Sequence, residues 1–312
     1  MINEIEFRFY KVAGHLFSVT ASPDIAETLF AESMDNYEPF AEKASAEKAL
    51  DESVLFSLKV DCCDFTPEYT EELCQDDEGQ QIICGLTAEK CSVFDFRLMH
   101  EPVGSLLCAL DYKTATLYIP KNFKKSSLKY AVNNALMVMY AIATAPYGTM
   151  LFHAAVTTYQ GHGYLFLGKS GTGKSTHARL WLKHVDGTSL LNDDNPVVRV
   201  FEDAPGAFCA VVYGSPWSGK TPCYKNEEYP LGGAVLLSQA PFNKITRLRG
   251  VQAYAAIVPC ISGKRWERRI ADGLHASENA MAKNIPAWYL ECLPDEAAAK
   301  LCCSTVTGAL RG

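Results

Sequence analysis

Polar and apolar residues alternate at the start of the chain, with Ile5, Phe7 and Phe9 on one side and Glu4, Glu6 and Arg8 on the other. That is the period of a half-buried strand. A turn at Gly14 and a second run, HLFSVT, complete an expected hairpin. Residues 22–50, rich in Ala, Glu and Lys, predict short helices or a covering loop. Further strands are expected at 54–60, 81–87, 92–99, 105–112 and 116–120, together forming an antiparallel layer. The acidic stretch 61–79, with Glu68, Glu71, Glu72, Asp76, Asp77 and Glu78, lacks the ligand alternation of a calcium loop and reads as a solvated connection.

After the basic run KNFKKSS the period changes to 3.6, which predicts a helix from Ser126 to about Thr144, broken at Pro146 and Gly148. A domain boundary is placed there, giving a β-rich portion 1–122 and a second domain 123–312. In the second domain, strands at 152–159 and 164–168 are expected to pair, with His153 on the first. A helix is predicted at 174–184, then an apolar strand, SLL, running into Asp193 and Asp194. Strands at 209–214, 232–239 and 287–293, helices at 249–260 and 266–283, and a last helix from Asp295 complete an α/β pattern with a mixed sheet.

The stretch HGYLFLGKSGTGKST, residues 162–176, fits the phosphate-binding template GxxxxGK(S/T), opened by Gly168 and closed by Gly173, Lys174 and Ser175. Gly171 and Gly173 let successive backbone N–H groups turn toward an anion, with Ser170 and Thr172 between them. Lys174 is placed to reach the outer phosphates of a nucleotide. Ser175 offers a hydroxyl to magnesium, and Thr176 opens a helix whose positive end faces the same anion. Asp193 follows Ser175 by 18 positions (193 − 175) at the expected C-terminal end of a central strand, where α/β folds place ligands. One carboxylate of the pair can orient magnesium while the other accepts a proton from an attacking hydroxyl. His153 is read either as a satisfied core histidine or as an imidazole near the terminal phosphate.

Composition narrows the partners. A formal charge of −7 argues against a nucleic-acid surface. The twelve cysteines show neither CxxC nor zinc spacing, and the first residues are charged where a secretory signal needs an apolar core, so free thiols in a cytoplasmic protein are expected. The apolar segment 131–152 is interrupted by Asn133, Asn134 and Pro146, which favours a buried helix over a membrane span. The sequence leaves a homo-oligomer open.

The order of His153, GKSGTGKS and LLNDD resembles the catalytic domain of HPr kinase/phosphorylase, and SGTGK with the Asp pair is similar to ATP-dependent phosphoenolpyruvate carboxykinase, which shares that core. The resemblance implies a phosphoenolpyruvate-carboxykinase-like nucleotide-binding fold over 123–312. It also implies Asp193 as catalytic base, Asp194 as magnesium partner and His153 beside the transferred phosphate. It implies ATP and Mg2+, and a serine-type hydroxyl on a protein, peptide or small molecule as acceptor. Thr176 stands where that family has Glu, and its glycine- and arginine-rich signature is missing downstream, so HPr itself is not implied. A nucleotide-gated binding module without transfer is the alternative, and a carboxykinase a more distant one. Two stretches are candidates to complete the site: the loop 214–233, with Lys220 and Lys225, read as closing over a nucleotide with Lys220 on a phosphate or as a surface loop, and the cluster Lys264, Arg265, Arg268 and Arg269, read as a solvated helix start, a source of a charge-neutralising arginine or a docking surface for an acidic partner.

Overall fold

A computed structural model describes residues 6–43, 54–219 and 221–309, so Glu4, Ile5 and Lys220 lie outside the described residues. The chain forms two compact units, Met1–Ala143 and Thr144–Gly312.

In the first unit, β1 (Glu6–Val12) and β2 (His15–Ala21) form the expected hairpin. Two helical turns, Thr28–Ser33 and Asp35–Phe40, follow, and then β3 (Ala41–Glu42). Next come β4 (Phe56–Cys62), β5 (Thr70–Asp77), β6 (Gln80–Leu86), β7 (Ser92–Leu98), β8 (Glu101–Cys108) and β9 (Thr114–Ile119). The nine strands make one sheet in the order β3-β1-β2-β4-β9-β8-β7-β6-β5. It is mainly antiparallel, but β4 runs parallel to both neighbours, β2 and β9, so the sheet is mixed. The acidic stretch is not simply a loop, because Thr70–Asp77 pairs antiparallel with β6 as an edge strand exposed along its whole length. It shows no period-two pattern, since a strand with neither face buried needs no apolar residues, and charge on an edge discourages pairing with another chain.

The helix α1 (Lys125–Thr144) belongs with this sheet, so the structural division falls after it rather than before. Leu128, Val132, Ala135, Leu136, Met139 and Tyr140 form its buried stripe. The Tyr140 hydroxyl donates to the Val12 carbonyl at 3.0 Å, and Asn133 Oδ1 accepts from Asn36 and from the Tyr37 hydroxyl, each at 3.0 Å. Asn133, which breaks the apolar run in sequence, is thus a polar fastener within this unit.

The second unit opens with a short helical turn, Ala145–Tyr147, and β10 (Thr149–Phe152), β11 (Ala155–Tyr159) and β12 (His162–Leu167). Then follow α2 (Lys174–His184), β13 (Ser189–Asn192), β14 (Val197–Ala204), β15 (Ala207–Tyr213), β16 (Glu228–Gln239) and β17 (Lys244–Leu248). The chain continues through α3 (Val251–Ile257), β18 (Ile261–Ser262), α4 (Arg268–Asn284), β19 (Ala287–Cys292) and α5 (Glu296–Gly308). The sheet runs β13-β11-β12-β16-β15-β14-β10-β18, with β19 also on β16 and β17 on β19. The long β16 joins its parts, pairing with β15 through residues 228–230 and lying parallel to β12 and β19 through the rest. With two large mixed sheets and packed helices, the chain is a mixed α/β protein.

The face of β12, β16 and β19 carrying Phe166, Val235, Leu237 and Leu290 buries the apolar side of α2 and α5, namely Ala178, Trp181, Ala299, Cys302 and Val306. This packing fixes α2 directly after the strand that carries the glycine-rich loop. All twelve cysteines are free. Among the described residues no helix is long and apolar enough to cross a membrane.

Candidate functional site

The strand β12, the loop Gly168–Gly173 and the helix α2 follow one another as the motif requires. Gly168, Gly171 and Gly173 have φ of +144°, +77° and +102°, a region that L side chains resist, so three glycines in six residues let this loop turn. Thr172 fastens the turn from inside, its N–H and hydroxyl both donating to the Lys169 carbonyl at 3.2 and 2.8 Å. Gln239, at the end of β16, donates to the Gly171 carbonyl. Ser170 is exposed, whereas Ser175 and Thr176 are half-buried on the first turn of α2.

Lys174 is only 8% exposed, and its ammonium donates to the carbonyls of Gly168 at 3.0 Å and Lys169 at 3.3 Å. Burial lowers its pKa from the usual lysine value, while Asp194, Cys260 and Asp193 pull it back up. The lysine therefore stands close to both aspartates, as the sequence could only suggest. The Cys260 thiol also lies here: burial raises its pKa, and the Gly168 N–H and Lys174 favour its thiolate. No sequence signal marked Cys260, since it sits some ninety positions from the loop that it touches, counted on the sequence.

The aspartates follow β13 directly, but β13 ends the strand order, so the pair stands at the end of an edge strand rather than a central one. The two carboxylates differ sharply. Asp193 is 5% exposed, and its Oδ2 accepts the Thr221 N–H at 3.3 Å. The Asp194 side chain is 34% exposed, with Oδ1 3.5 Å from His153 Nδ1 and Oδ2 accepting from Asn195 at 2.8 Å. Burial raises the Asp194 pKa above the usual carboxylate value; His153 and Lys174 oppose that rise and Asp193 adds to it. A lysine and a carboxylate each pushed toward neutrality by burial are the kind of perturbed pair found at functional sites.

His153 does not sit on a strand. It occupies the joint between β10 and β11, where its N–H donates to the Cys260 carbonyl at 2.7 Å and the Ala154 N–H donates to the Asp194 carbonyl at 2.8 Å. The joint is thereby fixed between the Asp pair and the segment that enters β18. The imidazole is 45% exposed and so is not a core histidine; the core histidine nearby is His177 on α2, whose Nε2 accepts from Trp181 Nε1 at 3.2 Å. Burial pushes His177 down to about 4.

The two further stretches have different fates. The loop after β15 folds onto the Asp pair, with Ser215 and Trp217 buried and Cys223 Sγ facing the carbonyls of Leu190 and Leu191. Lys220, expected to touch a phosphate, lies outside the described residues. Lys264 and Arg265 are not a solvated helix start. Lys264 is 4% exposed with its ammonium 3.5 Å from Glu267, and Arg265 donates to the carbonyls of Val258 and Ile261 and pairs with the buried Glu278 at 2.6 Å. Arg268 and Arg269 are exposed.

Among the described residues no group of three or more His, Cys, Asp or Glu gathers in a metal-holding arrangement. Ser175 and Asp194 offer one hydroxyl and one carboxylate, a donor set that suits magnesium when phosphate oxygens and waters supply the rest. No family model and no curated protein matches the chain. Among solved structures, the HPr(Ser) kinase/phosphatase from Coxiella burnetii is similar over 52% of this chain and 99% of its own, at 10% identity and a TM-score of 0.30. A likeness of that degree identifies no family.

Proposed function

We propose that the chain is an ATP- and magnesium-dependent kinase that transfers a phosphoryl group to a serine-type hydroxyl of a protein, peptide or small molecule. The observation that carries this reading is that buried Lys174, at the end of the glycine-rich loop, interacts electrostatically with both aspartates, while Asp194 stands 3.5 Å from His153. The loop N–H groups and Lys174 hold the phosphates, Lys174 exchanging the carbonyls of Gly168 and Lys169 for phosphate oxygens. Asp193 accepts the proton of the acceptor hydroxyl. Its Oδ2 is oriented by the Thr221 N–H, which leaves Oδ1 for that proton. Ser175 and Asp194 would hold magnesium, which when bound would neutralise charge on the transferred group, and His153 would hydrogen-bond the same group.

Incubation with γ-labelled ATP and serine-bearing acceptors tests the reading. Asp193→Asn is expected to slow transfer on the order of 10²–10⁴-fold, the usual contribution of a positioned base, with nucleotide affinity nearly intact. Loss of nucleotide binding in a folded Asp193→Asn protein would remove the assigned role. Nucleotide binding by the wild type without labelled acceptor would favour the gated binding module, and formation of phosphoenolpyruvate from oxaloacetate would favour the carboxykinase.

A further inference from the structure

We propose that Asn192, the residue before the Asp pair, is a positioning residue that locks the pair together with Ser215, Trp217 and Thr221 into one rigid piece. The inference rests on the kinase reading for its effect on rate, but its structural half stands alone. The Asn192 side chain is fully buried and uses both ends. Its Oδ1 accepts the Asp194 N–H at 2.9 Å, and its Nδ2 donates to the Ser215 hydroxyl and to the Trp217 carbonyl, each at 3.1 Å. Chemistry fixes the amide orientation. Exchanging O and N would set a donor against the Asp194 N–H and an acceptor against the Trp217 carbonyl.

Ser215 continues the network. Its hydroxyl donates to the Asn195 carbonyl at 2.6 Å and accepts from the Trp217 N–H at 3.2 Å as well as from Asn192. The Asn195 N–H returns to the Trp217 carbonyl at 3.3 Å. Four residues on and held to the same loop, the Thr221 N–H reaches Asp193. Asn192 thus sets the backbone of Asp194 directly and the orientation of Asp193 through the loop. Ser215, Trp217 and Thr221 are thereby fastened to the segment that carries the aspartates. Tight packing agrees: a Cβ on Gly219 would lie 3.2 Å from the Asp194 Cβ.

The test is Asn192→Asp, which keeps the shape and the acceptor for the Asp194 N–H but turns the donor end into an acceptor facing the Trp217 carbonyl. Backbone amide exchange and labelled-phosphoryl transfer are measured on the full chain, with Ser215→Ala as a second, milder variant. Expected are exchange at the amides of Asn195, Trp217 and Thr221 faster by about tenfold or more, and a kcat lower by about tenfold with the nucleotide KM unchanged, the size of effect that an unmet buried polar group produces. Wild-type exchange at those amides in both variants would overturn the locked piece. Faster exchange with wild-type kcat would overturn the positioning role. A wild type that transfers nothing to any acceptor would remove the kinase reading, and amide exchange would still decide the network.

Discussion

The glycine-rich loop and the aspartate segment stand beside the same lysine, yet they are built in opposite ways. The loop is held largely by itself: Thr172 and Lys174 both bond to Lys169, three and five residues away. The aspartate segment is held by partners 23, 25 and 28 residues distant, through Asn192 to Ser215 and Trp217 and through Asp193 to Thr221. One is a local conformation written in consecutive residues. The other exists only when two loops meet in the folded chain. The loop should therefore tolerate change at modest cost in stability, whereas the aspartate segment should lose its structure when one close approach is blocked.

The largest effect is expected at Gly214, where the second loop leaves β15. A Cβ there would lie 2.0 Å from the Lys225 carbonyl oxygen, a clash between backbones that no rotamer relieves. Gly214→Ala should cost roughly 3 kcal/mol or more in chemical denaturation, the upper range for overpacking. An unchanged midpoint would mean that the loop is held more loosely than its hydrogen bonds indicate.

An intermediate effect is expected at His177, whose folded pKa of about 4 lies below the ordinary 6.5. The unfolded chain therefore binds the extra proton first. Stability should be full above pH 6.5, fall as the pH drops toward 4 and level off below that, a loss of a few kcal/mol from this group alone. His177→Gln preserves an acceptor for Trp181 Nε1 without titrating, and should flatten this part of the pH–stability curve. An identical slope in wild type and variant would assign the acid sensitivity to other groups.

The smallest effect is expected at Gly171. Its φ of +77° penalises a side chain, but a Cβ there meets nothing within 4 Å. Gly171→Ala should cost only about 1–2 kcal/mol, the strain of a left-handed alanine, even if phosphate binding suffers more. A loss equal to that of Gly214→Ala would erase the distinction between the two regions.

The comparison also explains what was legible. The helix α2 ends where its pattern predicted, at His184, and α1 is found within a residue of its expected start because its apolar stripe recurs at helical spacing. The edge strand Thr70–Asp77 was hidden, since a strand exposed on both faces carries no alternation. His153 was drawn onto a strand by the apolar residues around it. Its true place at a joint depends on the Cys260 and Asp194 carbonyls, far away in sequence. Lys264 and Arg265 looked like surface charge because the burial of Lys264 and the pairing of Arg265 with the covered carboxylate of Glu278 are decided by the fold.

The sequence by itself determined the places of the long helices and of most apolar strands, the glycine-rich turn between β12 and α2, and the adjacency of two aspartates after an apolar strand. Each of these depends on the conformational preferences of neighbouring residues. Only the tertiary structure decided which carboxylate is covered and which is open, that a half-exposed histidine stands 3.5 Å from the open one, and that a buried asparagine ties the pair to a distant loop. Those properties come from burial and from hydrogen bonds across long separations. A buried donor must find its acceptor wherever the folded chain supplies one.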